Sequence, residues 1–348
     1  MRNAIILLLA LLVVTGCAQE AEAPAEVGEN GQSREEVQAT PDAGGEEESE
    51  ELVSIQLPMA YIPDPQFAPF YVAVERGYYE EAGFEVEFDY SFETDGIALV
   101  GAGELPFAIV SGEQVILARA QQLPVVYVMA WYQDFPISVV SRESAGIEAP
   151  SDLEGRTVGI PGFFGASYVG YVGLLSAAGV DAEAVEAEEI GFTQLEALLN
   201  DRVEAVVGYT NNEPVQLRQQ EEAINVLEVS DYIDLVANGL ISNETTIEEN
   251  PEMVQRFVEA TMRGLRDTLE DPQAAFEISK GYVEDLDDSR MAVLEASLPL
   301  WQAEELGVTD LARWQQTEQI LLEADLLDEA VPDLEAGFTN RFVEQAQE

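Results

Sequence analysis

The sequence predicts an α/β protein of two lobes, each an open and mostly parallel sheet flanked by helices. Three observations carry this. Short strand signals alternate with helical ones from residue 53 onward, the alternation starts afresh near Ser151, and beyond Ile241 the pattern turns mostly helical. Alternating strand and helix signals mark parallel sheets covered by helices. The patterned region is longer than one average domain and can hold a large core.

The elements follow in order. Val53 to Leu57 alternates like a strand. Phe70 to Ala82 carries apolar residues at helical spacing and stops at Gly83. Phe84 to Tyr90 alternates again, with Phe84, Val86 and Phe88 on one face. A short helix over Gly96 to Ala102, a buried strand over Leu105 to Val110, a helix over Glu113 to Gln121 and a strand over Val125 to Trp131 complete the first unit. Ser151 to Arg156 reads as a capped turn into a strand at Thr157 to Ile160. Pro161 to Ser167 then leads into a helix ending at Ala178. Glu186 to Ile190 is a strand, Gln194 to Asn200 a helix, and Ala205 to Gly208 a strand. The helical tail comprises Pro251 to Glu270, Pro272 to Tyr282, Asp288 to Leu300 and Thr309 to Ala324, expected to pack back on the first lobe.

The first 51 residues read differently. Met1-Arg2-Asn3 precedes an apolar run from Ala4 to Val14, then Thr15-Gly16-Cys17. The run is too short for a span of ~20 apolar residues and has the build of a secretory signal. Val14-Thr15-Gly16-Cys17 resembles the lipobox of bacterial lipoproteins, which implies lipidation of Cys17, the only cysteine. From Ala18 to Glu51 large apolar side chains are almost absent, so the segment cannot offset its ordering entropy and is expected to be a disordered acidic tether. The expected organisation is a signal peptide at 1–16, a lipidated tether at 17–51, lobe I at 52–139 and 238–348, and lobe II at 140–237.

Composition narrows the chemistry. The 348 residues hold 68 acids against 15 bases, a formal charge of −53, with Lys280 the only lysine. Nucleic acid and anionic lipid surfaces are poor partners for such a chain, so membrane contact is expected through the lipid anchor only. The chain has no histidine, which excludes Ser-His-Asp and Cys-His catalysis and histidine metal sites. No phosphate-binding glycine loop of the Walker or dinucleotide type appears. No carboxylate pair stands out as acid and base. A binding protein without cofactor or metal, monomeric, is the expectation.

Several segments together carry a resemblance. Tyr61-Ile62-Pro63-Asp64-Pro65-Gln66-Phe67-Ala68-Pro69-Phe70-Tyr71-Val72-Ala73 follows the first strand, Glu75-Arg76-Gly77-Tyr78-Tyr79-Glu80-Glu81-Ala82-Gly83-Phe84-Glu85-Val86 comes next, and Asp152-Leu153-Glu154-Gly155-Arg156-Thr157-Val158-Gly159-Ile160 opens the second lobe. In their order and spacing these resemble the solute-binding proteins of ABC importers of the NMT1/THI5-like group, over roughly residues 53 to 330. The resemblance implies the type II periplasmic-binding-protein fold, closure of two lobes on a ligand, and delivery to an ABC permease. The group includes binders of thiamine pyrimidines, sulfonates, nitrate and riboflavin, and THI5-like relatives that are enzymes.

Ligands of open α/β sheets bind beyond the carboxyl ends of the strands. The segments leaving the predicted strands contain Tyr61, Phe67, Trp131, Tyr132, Phe163, Phe164, Tyr168 and Tyr209, and the polar Asp64, Gln66, Asp95, Gln114, Ser167, Asn212 and Glu213, but no Arg or Lys. Rings of this kind hold flat heteroaromatic molecules by stacking, while amides and acids read donor and acceptor edges. A small oxyanion normally meets a cation or a dense set of donors. Gly162 to Ser167 is either an anion or polyol cradle at a helix start or a tight turn needing small residues. By the resemblance, Glu213 matches the acid that pyrimidine binders place at the ring edge, whereas Ile62 to Phe67 and Pro161 to Tyr168 look more like the riboflavin-binding branch. Riboflavin is the expected ligand, with a thiamine pyrimidine precursor or another heteroaromatic or sulfonate-type solute as the alternatives. A sensor or surface adhesin on the same scaffold stays open.

Overall fold

Gly77 shapes the first helical layer. The computed structural model describes residues 52–347, so the predicted signal peptide, Cys17 and the tether lie outside the described residues. The chain opens with β1 (Val53–Pro58), α1 (Ala68–Glu75), α2 (Tyr78–Glu81) and β2 (Phe84–Asp89). The single helix expected over Phe70 to Ala82 is thus two, because Gly77 takes a left-handed φ of 73° and the backbone N–H groups of Arg76 and Gly77 close α1 on Val72 and Val74. Next come α3 (Glu93–Gly101), β3 (Ala108–Ser111), α4 (Gly112–Ala120) and β4 (Val125–Ala130).

The second sheet is built by β5 (Ile137–Arg142), β6 (Thr157–Ile160), α5 (Gly165–Ala178), β7 (Glu186–Glu189), α6 (Gln194–Leu199), β8 (Ala205–Tyr209), α7 (Glu213–Gln219) and β9 (Ile224–Glu228). The chain then returns through β10 (Asn238–Asn243) to α8 (Glu244–Glu249), α9 (Pro251–Glu270), α10 (Pro272–Ser279), α11 (Met291–Trp301), α12 (Leu311–Glu323) and α13 (Arg341–Gln345).

The sheet orders are β1-β2, β3-β10-β4 and β7-β6-β8-β5-β9. β1 pairs with β2 in parallel and packs against β3. β10 lies between β3 and β4 and runs against both, so those two share a direction. β5 likewise runs against its neighbours β8 and β9, while β6 is parallel to β7 and β8. The strand that brings the chain into each lobe is the one that opposes the rest. The result is a two-lobed α/β fold of the type II periplasmic-binding-protein kind, with carboxyl ends of both sheets facing one cleft.

β5, β9 and β10 were not evident in the sequence pattern. β5 interrupts its apolar run with Ser138 and Ser141, and β10 begins Asn238-Gly239 and ends Ser242-Asn243, although all five of these serines and asparagines are buried. β9 is a half-covered edge strand.

The helical tail does pack back on the first lobe. α9 presents Val254, Phe257, Val258, Thr261, Met262, Leu265 and Thr268 along one buried stripe. Phe257 stacks on Phe107 at 4.1 Å and on Tyr79 at 4.8 Å. α9 crosses α1 so closely that a Cβ on Gly264 would stand 2.1 Å from the Pro69 carbonyl oxygen. Among the described residues no helix is long and apolar enough to cross a membrane.

Candidate functional site: an aromatic cleft between the lobes

Strand exits from both sheets converge on a cavity of about 320 Å³, within the usual range for small-molecule sites of roughly 300–1,000 Å³. From the first lobe come Met59, Ala60 and Tyr61 after β1, Phe92 and Glu93 after β2, and Trp131 and Tyr132 after β4. The following helix start adds Gln66 and Phe67. From the second come Pro161, Gly162 and Phe164 to Ser167 after β6, Glu189, Gly191, Phe192 and Gln194 around β7, and Tyr209, Asn212 and Glu213 after β8. Among the described residues no Arg or Lys lines the cavity.

The rings form two groups. Phe67 stacks on Trp131 at 5.4 Å, and Trp131 meets Tyr132 edge-on at 4.6 Å, so this wall is a rigid part of the core. Phe92, Phe164 and Phe192 are more than 50% exposed at the rim. Tyr61 of the first lobe meets Phe192 of the second edge-on at 5.5 Å.

Polar groups behind the wall are tied across the lobes. Tyr132 Oη donates to Gln66 Oε1 at 3.0 Å. Asn211, fully buried at the end of β8, donates to Tyr132 Oη at 3.1 Å and to Ser297 Oγ of α11 at 2.7 Å. Asp64 accepts from the Gln66 backbone at 3.1 Å and pairs with Arg290. Burial outweighs that pairing and pushes the Asp64 carboxyl up to about 6.

Acids dominate the floor. Ser111, at the end of β3, holds Glu93 through its N–H and through Oγ at 2.6 Å, and the same Oγ contacts Glu113. Burial, and next the neighbouring Glu93, push the Glu113 carboxyl up to about 8. Burial also raises Glu93, and pushes Glu213 up to about 7 although Glu213 accepts from Tyr209 N–H at 2.7 Å.

Of the residues expected from sequence, Tyr61, Gln66, Phe67, Trp131, Tyr132, Phe164, Ser167, Tyr209, Asn212 and Glu213 come together around the cavity. Five do not line it. Asp64 is turned to Arg290, Asp95 is exposed on α3, and Gln114 is buried in α4. Phe163 packs edge-on against Tyr168 at 5.5 Å. Sequence reasoning missed Phe192 and Gln194, which follow β7 and obey the same strand-exit rule. It also passed over Glu93, the first residue of α3. Among the described residues no group of His, Cys, Asp and Glu is arranged to hold a metal.

Comparison with known proteins agrees with this geometry. Residues 64–275 match the family model described as NMT1/THI5 like. The riboflavin-binding protein RibY of Chloroflexus aurantiacus is 44% identical over 305 residues, covering 84% of this chain and 86% of its own. The formylaminopyrimidine-binding protein of Halalkalibacterium halodurans is 32% identical over 238 residues, 66% of this chain and 71% of that one. The periplasmic aliphatic sulphonate binding protein SsuA from Escherichia coli shares the fold, with a TM-score of 0.68 at 13% identity over 82% of this chain and 92% of that chain. By sequence and fold together, the chain belongs to the NMT1/THI5-like family.

Proposed function

We propose that this protein captures riboflavin outside the cell and delivers it to the permease of its importer. The observation that carries the reading is the cleft itself: rings line it from both lobes, and among the described residues no Arg or Lys lines it. A neutral tricyclic ring suits the Phe67–Trp131–Tyr132 wall and the exposed rim rings Phe92, Phe164 and Phe192, which can close over it. The hydroxylated tail and ring N–H of riboflavin are donors, matching the acceptors Glu93, Glu213 and Gln66. The identity to the Chloroflexus riboflavin-binding protein supports the same ligand. In this reading residues 52–139 and 238–348 act as lobe I and residues 140–237 as lobe II. Closure of the lobes is the state that the permease reads. Cys17 tethers the body by lipid to the outer face of the membrane.

Titrating flavin with purified protein tests this. Stacking on Trp131 and the rim rings quenches flavin emission, and saturation at micromolar protein is expected; unchanged emission removes riboflavin. The relative that binds formylaminopyrimidine supplies the competing reading, and calorimetry with that pyrimidine decides it.

A further inference from the structure

We propose that the cleft rejects anionic ligands because the chain places its own carboxylates where an oxyanion would sit, and that Glu93 sets this preference. The proposal rests on the cleft being the ligand site, and not on riboflavin being the ligand.

Helix starts attract anions through their free N–H groups and the helix dipole. Among the helices that begin where strands end at this cleft are α3 and α5, with α4 starting just behind the lining. α3 opens with Glu93, and α4 carries Glu113 in its first turn. α5 has no acid in its first turn, and its N-cap residue is Phe164, which offers no side-chain acceptor. Glu93 supplies the missing charge from the opposite lobe. Its Oε2 lies 3.5 Å from where a Cβ on Gly165 would stand, at the first residue of α5. Its Oε1 is held by Ser111 N–H and Oγ. The carboxylate is therefore fixed from one lobe while its free oxygen faces the helix start of the other.

A sulfate, sulfonate or phosphate group entering here meets a position already filled. It also faces Glu189 in the lining, to which the described residues contribute no Arg or Lys. One like charge at about 6 Å in an effective dielectric of about 20 costs roughly 100-fold in affinity. Glu93 thus separates this cleft from oxyanion sites on the same scaffold. A phosphomonoester of a neutral solute would have to be hydrolysed before capture.

Calorimetry with riboflavin, riboflavin 5′-phosphate and inorganic sulfate tests the proposal on the wild type, Glu93→Gln and Glu93→Ala. The wild type is expected to bind the phosphorylated flavin roughly 100-fold more weakly than riboflavin and to show no saturable heat with sulfate. Glu93→Gln keeps the shape without the charge and is expected to recover roughly tenfold or more of the lost affinity for riboflavin 5′-phosphate. Glu93→Ala also clears the space and is expected to admit sulfate. Wild-type protein that takes riboflavin 5′-phosphate as tightly as riboflavin, or that binds sulfate, overturns the proposal while leaving the flavin reading in place. Folded variants that gain neither anion overturn it too. Binding of neither flavin removes riboflavin as the ligand, and the sulfate arm then decides the role of Glu93 by itself.

Discussion

Replacing Glu113 by Gln should make the folded body less sensitive to pH between about 5 and 8. Glu113 is fully buried, and its Oε2 has no hydrogen-bond partner among the described residues. Its carboxyl is pushed from the ordinary 4.5 to about 8 by burial and by Glu93. An acid raised in this way gives stability that is complete below its unfolded value and is lost as the pH climbs through its folded value. From about pH 5 to about pH 8 one such group loses about 3 kcal/mol of stability. Gln imitates the protonated acid in shape and has nothing to titrate. Urea unfolding at successive pH values measures both proteins. The variant should match the wild type near pH 5 and exceed it by about 3 kcal/mol near pH 8. Asp64 and Glu213, also raised, tilt both curves in the same direction and cancel in the difference. Parallel curves for the two proteins would refute the argument, because they would mean that Glu113 is ionised in the folded state across the range.

Other substitutions probe separate parts of the molecule. Arg290→Met leaves Asp64 buried without its partner and should cost about 3–5 kcal/mol near pH 8, less near pH 5, where Asp64 takes a proton; urea midpoints at the two pH values measure this. Phe164→Ala and Phe192→Ala remove exposed rim rings, so thermal midpoints should hold while flavin affinity falls by about 0.5–1.5 kcal/mol each in a fluorescence titration. Gly264→Ala forces a methyl group against the Pro69 carbonyl and should destabilise by about 1–3 kcal/mol, seen as a lowered denaturation midpoint with unchanged flavin affinity per folded molecule.

How much of this was legible in the sequence depended on how local the signal is. The bounds of α9 were, because Pro251 and the Asp271-Pro272 pair punctuate a strongly amphipathic run. The two crossing strands were not. Ser138 and Ser141 in β5, and the Asn-Gly start of β10, look like turn residues until the neighbouring strands cover them. The cleft followed from the rule that ligands sit beyond strand ends, which gathered Tyr61, Phe164 and Glu213 from distant segments. Asp64 shows where that rule stops: it follows β1 as a cleft residue should, yet its partner is Arg290, 226 positions away. Whether an acid at a strand end faces a ligand or an internal cation is decided by packing that no local window contains.

The place of β10 has a consequence for how the molecule assembles. β3 and β4 are made early in the chain but are hydrogen-bonded into one sheet only through β10. Their three-stranded sheet cannot close until residue 243 is available, after every strand of the five-stranded sheet has already been synthesised. Contacts between such distant segments form slowly. The second lobe, continuous in sequence from β5 to β9, is the part free to organise first, and the first lobe is finished around it.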